Sequence, residues 1–363
     1  MGCTHSANEE ASSEDKCQVA AAEHFIHDAP GTYPRLCRLS DGSVLCGFTS
    51  FEPDGQRVLR IARSVDGART FAPQGEVARS SGDCDNISLL ELPADRDSSA
   101  IVLAAFRNHD LDAQGSPTFF RITVCQSADG GRSWTFLAQA FENSAPFGLW
   151  EPFLRRSRLG HVQLFFSQEL EAADQDTMLV VSLDRGRTWS APVAVTGAGE
   201  RLRDGMVGVA STRDRSRDAL VMVLETTRRG TFSIECVVSY DDGATFGSRQ
   251  TVYAASPGRN AGAPQIASFP DGTLAVVFMT DERVEGVPDW PRKAGISAVF
   301  GAPPRDGNIK WGRQQIVSEM GGSWPGVARV GDGAVLAAYE HNGNVHGRLL
   351  LSARGAGSLS HGQ

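Results

Sequence analysis

At 363 residues the chain is long enough for one large domain or two ordinary ones, and its 39 glycines, 17 prolines and 21% charged residues suit many short strands joined by tight turns. A net charge of −8 leaves no basic face for phosphate backbones, which excludes nucleic acid as a partner. No apolar run approaches the ~20 residues of a transmembrane helix, and the seven scattered cysteines lack zinc spacing, so they predict buried free thiols.

In chain order, residues 1–16 are small and polar and predict a disordered leader. They open Met1-Gly2-Cys3-Thr4-His5-Ser6, which fits Gly2 myristoylation beside a palmitoylatable Cys3, the alternative being a chance match. No basic stretch followed by an apolar one marks a secretory signal. Helical character is confined to Ala20–His24.

Beyond this point an internal repeat organises the sequence. Ser64-Val-Asp-Gly-Ala-Arg-Thr-Phe71, Ser127-Ala-Asp-Gly-Gly-Arg-Ser-Trp134, Ser182-Leu-Asp-Arg-Gly-Arg-Thr-Trp189 and Ser239-Tyr-Asp-Asp-Gly-Ala-Thr-Phe246 start 63, 55 and 57 residues apart, and a worn copy spans Arg305–Trp311. This is the Asp-box pattern. Its Asp accepts hydrogen bonds from following backbone N–H groups, its Gly supplies positive φ, and its aromatic residue anchors the turn. Each box is therefore complete as a turn and reads as scaffold rather than as chemistry.

Paired apolar runs accompany the boxes. First runs are Pro34–Leu39, Asn86–Leu92, Glu151–Arg156, Met206–Ser211, Pro264–Phe269 and Pro325–Val330; second runs are Val44–Phe51, Ile101–Asn108, Val162–Gln168, Leu220–Thr226, Leu274–Thr280 and Val335–His341. Six pairs predict an all-β, six-bladed β-propeller over 17–354, with Val19–His27 as the missing last strand that closes the ring and 355–363 as a disordered tail.

Antiparallel strands put the starts of the first strands and the ends of the second strands on one face, and the boxes on the other. The first-strand starts are Arg35, Asp85/Asn86, Trp150/Glu151, Asp204, Gln265 and Trp324; the second-strand ends are Thr49, Arg107, Ser167, Glu225, Met279 and Glu340. Carboxylates with two tryptophans around a concave rim predict a neutral-sugar site, against the alternative of an acidic rim without chemistry. Glu151 and Glu225, on adjacent blades, are the expected catalytic pair of a glycosidase. Glu151, between Trp150 and Pro152, is expected to stay protonated as acid/base, and Glu225, facing Arg107, to be the ionised nucleophile. Tyr339 fills a repeat position held elsewhere by Phe48, Phe106, Phe166, Leu224 and Phe278, so packing competes with a site role. Asp110-x-Asp112-x-x-Gly115 fails as a calcium loop because Gln114 and Arg121 occupy ligand positions.

From about Gly31 to Trp311 the chain resembles the fungal exo-α-1,5-L-arabinanases of glycoside hydrolase family 93. The motifs are Gly31-Thr-Tyr-Pro-Arg-Leu36, Ala105-Phe-Arg-Asn-His109, Trp150-Glu-Pro-Phe-Leu154, Arg203-Asp-Gly-Met206, Asn260-Ala-Gly-Ala-Pro-Gln265 and Phe278-Met-Thr-Asp-Glu282. The resemblance implies a propeller that cleaves linear arabinan from the non-reducing end with retention, releasing arabinobiose. It puts the two catalytic glutamates on Glu151 and Glu225 and implies no cofactor. Asn260 joins the expected substrate-binding set, and a monomer is expected. The family is secreted, whereas no signal is read here. The alternatives are a sialidase, with Arg35, Arg107 and a Tyr339–Glu225 pair, and a non-catalytic sugar-binding propeller.

Overall fold

The computed structural model describes residues 17–96 and 98–352. The expected leader, its Gly2/Cys3 acylation and the tail after residue 354 lie outside the described residues. Every regular element among the described residues is a strand, and the strands form six four-stranded antiparallel sheets. These are the blades of a six-bladed β-propeller. No helix among the described residues is long and apolar enough to cross a membrane.

Blades 1 to 5 run in chain order, beginning with the inner strands Thr32–Arg38, Asp83–Leu92, Leu149–Arg156, Asp204–Asp214 and Ala261–Ser268. Blade 6 takes Gly322–Arg329, Ala334–His341 and Asn344–Leu351, then receives Gln18–Pro30 as its outer strand, with Gln18 opposite Leu351 and Phe25 opposite His346. The ring thus closes as expected. Ala20–His24, read as weakly helical, belongs to this closing strand, because ladder pairing overrides a short stretch of local propensity.

Between blades, side chains from facing sheets interdigitate. Phe106, Phe165, Phe166, Phe278, Phe300 and Tyr339 are fully buried there, and each ring contributes on the order of 3 kcal/mol by leaving water. The described cysteines are buried free thiols. Cys37 faces Leu45 and Cys46 faces Leu36 across their ladder, so alternation sends the two thiols to different interblade layers.

Every inner strand starts two or three residues before its apolar alternation, and the reason repeats. Tyr33, Asn86, Glu151, Met206, Ala263 and Trp324 all have φ between 45° and 56°, the left-handed region. Each sits in a β-bulge, where the ladder shifts register across Thr32/Arg35, Asp85/Ser88, Trp150/Phe153, Gly205/Gly208, Gly262/Gln265 and Ser323/Gly326. A bulge re-aims its side chain. Here it does so six times around one axis.

The four repeated turns lie on the other face. In the second, Ser133 N and Arg132 N donate to Asp129 Oδ1, Ser133 Oγ donates to Oδ2, and Trp134 Nε1 closes onto Gly131 O at 3.1 Å. Hydrogen bonds from Ser133 hold the Asp129 carboxyl well below the usual carboxylate range. Neighbouring blades are tied through these turns, as where Arg155 and Arg158 reach Asp242. Asp129→Ala is expected to lower the urea midpoint at unchanged m-value, by about 1 kcal/mol for the orphaned donors. Because the folded pKa is depressed, that difference should be full above the unfolded value near pH 4 and shrink as pH falls below it.

Candidate active site

The six bulge residues ring the start of the central channel, and one interaction recurs beneath them. The second-strand residue opposite each bulge belongs to the set Thr49, Arg107, Ser167, Glu225, Met279 and Glu340. At five of six blade junctions its side chain engages the next blade's bulge. Thr49 Oγ1 donates to Asp85 Oδ1 at 2.5 Å, and Thr32 Oγ1 donates to Glu340 Oε2 at 2.5 Å. The Arg107 guanidinium stacks on Trp150, 5.2 Å from the ring centre. Ser167 Oγ accepts Met206 N–H at 3.1 Å, and Glu225 Oε2 accepts Ala263 N–H at 2.7 Å.

Two glycines make the last two contacts possible. A Cβ on Gly205 would lie 2.5 Å from Ser167 Oγ, and one on Gly262 would lie 2.6 Å from Glu225 Oε2. A side chain at either position would displace the acceptor that reaches across.

Glu151 and Glu225 are brought together on adjacent blades. Burial first, then the Glu225 charge, pushes the Glu151 carboxyl up to about 8, against the opposing pull of Arg107, a hydrogen bond to Ser167 and Arg203. Burial pushes Glu225 up to about 7, opposed by the Ala263 N–H and by Arg203. Burial thus raises both carboxyls, and the added repulsion of the Glu225 charge makes Glu151 the one that holds a proton more readily.

Around the pair, Tyr33 stacks on Trp324 with ring centres 4.4 Å apart, and Arg107 lies between the rings of Tyr33 and Trp150. Arg107 is itself paired with Asp83 at 3.1 Å and Asp85 at 3.3 Å. Asn86 presents a buried amide from the ring, and Trp290 borders Glu225, since its indole would meet a Cβ on Gly262 at 2.9 Å. Fully buried His109 braces Trp150 edge-on at 5.2 Å.

Five expected site residues sit elsewhere, and Arg107 has a different partner. Arg35 and Gln265 lie two residues beyond the bulge, pointing down the channel. They line a cavity of about 1640 Å³ that opens among the first-to-second-strand turns of the opposite face and includes none of the six bulge residues. Arg35 Nη1 donates to the carbonyls of Pro34, Trp324 and Pro325, and Gln265 Nε2 to Val207 O. Asp204 precedes its bulge by two residues and is fully buried in an ion pair with Arg249 at 2.6 Å. Asn260 is fastened to Asp281 and Phe232. Tyr339 is buried between blades 5 and 6 with its hydroxyl on Glu23, which favours packing over a site role. The cation that acts on Glu225 is Arg203, held by Glu169 at 2.8 Å, rather than Arg107.

Tyr33, Arg203 and Trp290 were missed as site residues, although the first two lie inside motifs that carry the resemblance. Their signal was a positional one: Tyr33 occupies the same ring position as Glu151 once the bulge is counted.

Solved structures with this architecture include the family 93 α-L-arabinofuranosidase of Fusarium graminearum in complex with arabinobiose. It aligns with a TM-score of 0.67 and 18% identity over 93% of this chain and 99% of that one. The Penicillium chrysogenum α-L-arabinanase complexed with arabinobiose gives 0.66 and 18% over 93% and 99%. The NanB sialidase of Streptococcus pneumoniae gives 0.60 and 12% over 91% and 70%. No family model and no curated protein sequence matches the chain. At these identities the likeness establishes a sialidase-like propeller fold.

Ser167 serves both the junction and Glu151. Ser167→Ala removes a hydrogen bond that lowers the Glu151 pKa, so that pKa is expected to rise further, with about 1 kcal/mol lost from stability. Carboxyl-detected NMR titration and urea unfolding measure the two effects.

Proposed function

We propose that this protein is a retaining, exo-acting glycoside hydrolase that cleaves α-1,5-linked L-arabinan and releases arabinobiose from the non-reducing end. The observation that carries the reading is the Glu151–Glu225 pair: two carboxyls on adjacent blades, both raised by burial and Glu151 further by the Glu225 charge, walled by Trp150, Tyr33, Trp324 and Trp290. Arabinobiose bound in two proteins of the same fold supports the choice of sugar.

In this mechanism Glu151 donates its proton to the departing glycosidic oxygen. Glu225 keeps Oε2 on the Ala263 N–H, so its other oxygen attacks the anomeric carbon and forms a glycosyl-enzyme. Glu151, now ionised, takes a proton from the water that hydrolyses the intermediate. Arg203 and the Ala263 N–H favour the ionised nucleophile, and the aromatic walls cover the apolar faces of the sugar.

A sialidase would need free guanidinium groups to clamp a carboxylate. Arg35 is committed to three carbonyls and Arg107 to two aspartates, and Tyr339 hydrogen-bonds Glu23. These commitments favour a neutral sugar over an anionic one.

Incubation with linear α-1,5-arabinan and, separately, a sialoside is expected to give arabinobiose from the first and nothing from the second; free sialic acid would overturn the proposal. Glu151→Ala and Glu225→Ala should each lower kcat by about 10³-fold or more. With azide, the Glu225 variant is expected to yield the azide of inverted configuration and the Glu151 variant the retained one. The opposite pattern would exchange their roles.

The pH profile follows from the pair. Activity needs Glu225 ionised, so it falls below about 7, and Glu151 protonated, so it falls above about 8. A kcat/KM bell centred between these values is expected, rather than the acidic optimum of two solvated carboxyls.

A further inference from the structure

The ring closure holds a group that the proposed hydrolysis does not use. Among the described residues, one set of three His, Cys, Asp or Glu side chains brings its ligand atoms within 4.8 Å of one another: Glu23, His341 and His346. Glu23 comes from the closing strand, His341 from the end of the second strand of blade 6, and His346 from its third strand.

The spacing does not fit hydrogen bonds. His341 Nδ1 is 3.5 Å from Glu23 Oε1 and His346 Nδ1 is 3.7 Å from Oε2, beyond the usual N–H···O range. These are instead close to the ~3.4 Å separating ligands around a tetrahedral ion with bonds of ~2.1 Å. The carboxylate is also oriented from outside: the Tyr339 hydroxyl donates to Oε1, as a supporting shell does for a metal ligand. All three side chains keep partial exposure, at 24%, 21% and 11% for Glu23, His341 and His346, so water can reach a fourth position. The cation that faces the group is the Arg348 guanidinium, 3.9 Å from Oε2.

We propose that Glu23, His341 and His346 form a binding site for a divalent transition-metal ion of the zinc type, which fastens the N-terminal strand to the last blade. Two imidazoles and one carboxylate are a borderline-soft donor set that suits zinc over magnesium or calcium. The ligands come from both ends of the chain, so binding free energy becomes stability of the closed ring.

The test uses the full-length, tag-free chain stripped with a chelator. Titration with Zn²⁺ in a calorimeter is expected to show one equivalent bound. Saturation should raise the thermal midpoint by about 3–6 °C at roughly 100-fold excess over Kd, with no response to Mg²⁺. Co²⁺ should give the visible bands of a four-coordinate site. His341→Ala and Glu23→Gln should each lose the stoichiometric binding and the thermal shift while keeping the far-UV spectrum. Arg348→Gln should bind more tightly, since it removes the opposing charge. No saturable binding to the native chain, or an equal response in the native chain and both ligand variants, overturns the proposal. Arabinan hydrolysis is not part of any readout, so the outcome is independent of the proposed activity.

Discussion

The contact on which this molecule depends is the one that a second-strand end makes with the bulge of the next blade at five of the six junctions. A propeller needs each sheet to be held at a fixed angle to its neighbour, and polar contacts at the rim add direction to the packed apolar layers. Thr49 on Asp85, Arg107 on Trp150, Ser167 on Met206, Glu225 on Ala263 and Glu340 on Thr32 fix that angle at the inner rim. The bulge that receives the contact also forces its own residue into left-handed backbone and turns that side chain to the axis. Scaffold and site are therefore one device. A catalytic residue at either position inherits the rigidity of a blade junction, which is the precision that a reacting carboxylate needs.

Glu225 illustrates the economy of this. It stands where blade 3 has Ser167 and performs the same scaffolding task, accepting a bulge N–H from the next blade. One oxygen is fixed structurally, and the proposed function gives the other to chemistry. Gly205 and Gly262 follow from the same geometry, because a side chain there would occupy the acceptor's path. Elsewhere in the ring the junction is made by a side chain in that place, Asp85 or Thr32.

Much of this was legible in the sequence, and the exceptions have one cause. The second-strand ends were aligned correctly in all six blades, because alternation runs unbroken to their last residue. The first-strand starts were not, since a bulge inserts a residue and resets the alternation. Counting from the apolar run lands past the bulge at Arg35 and Gln265, and counting back from it overshoots to Asp204. In blades 2, 3 and 6 a distinctive residue (Asn86, Glu151 or Trp324) marked the place, and the error vanished. Partnerships were harder still: that Arg249 neutralises Asp204 and Arg203 serves Glu225 depends on loops that periodicity does not address.

The electrostatics of the site follow from how its charges are spent. Arg107 divides its guanidinium between Asp83 and Asp85, and Arg203 is held by Glu169. Each cation therefore acts on the glutamate pair through space while its hydrogen-bonding capacity is consumed elsewhere. The rim presents aromatic faces around a pair of carboxyls whose pKa values burial raises. Arg35, Arg107 and Arg203 are already committed, so under the proposed function an anionic sugar would find none of these three guanidinium groups free to offset the desolvation of its carboxylate. The neutral sugar of the proposed function carries no such cost, and the Tyr33, Trp150 and Trp324 rings suit its apolar faces.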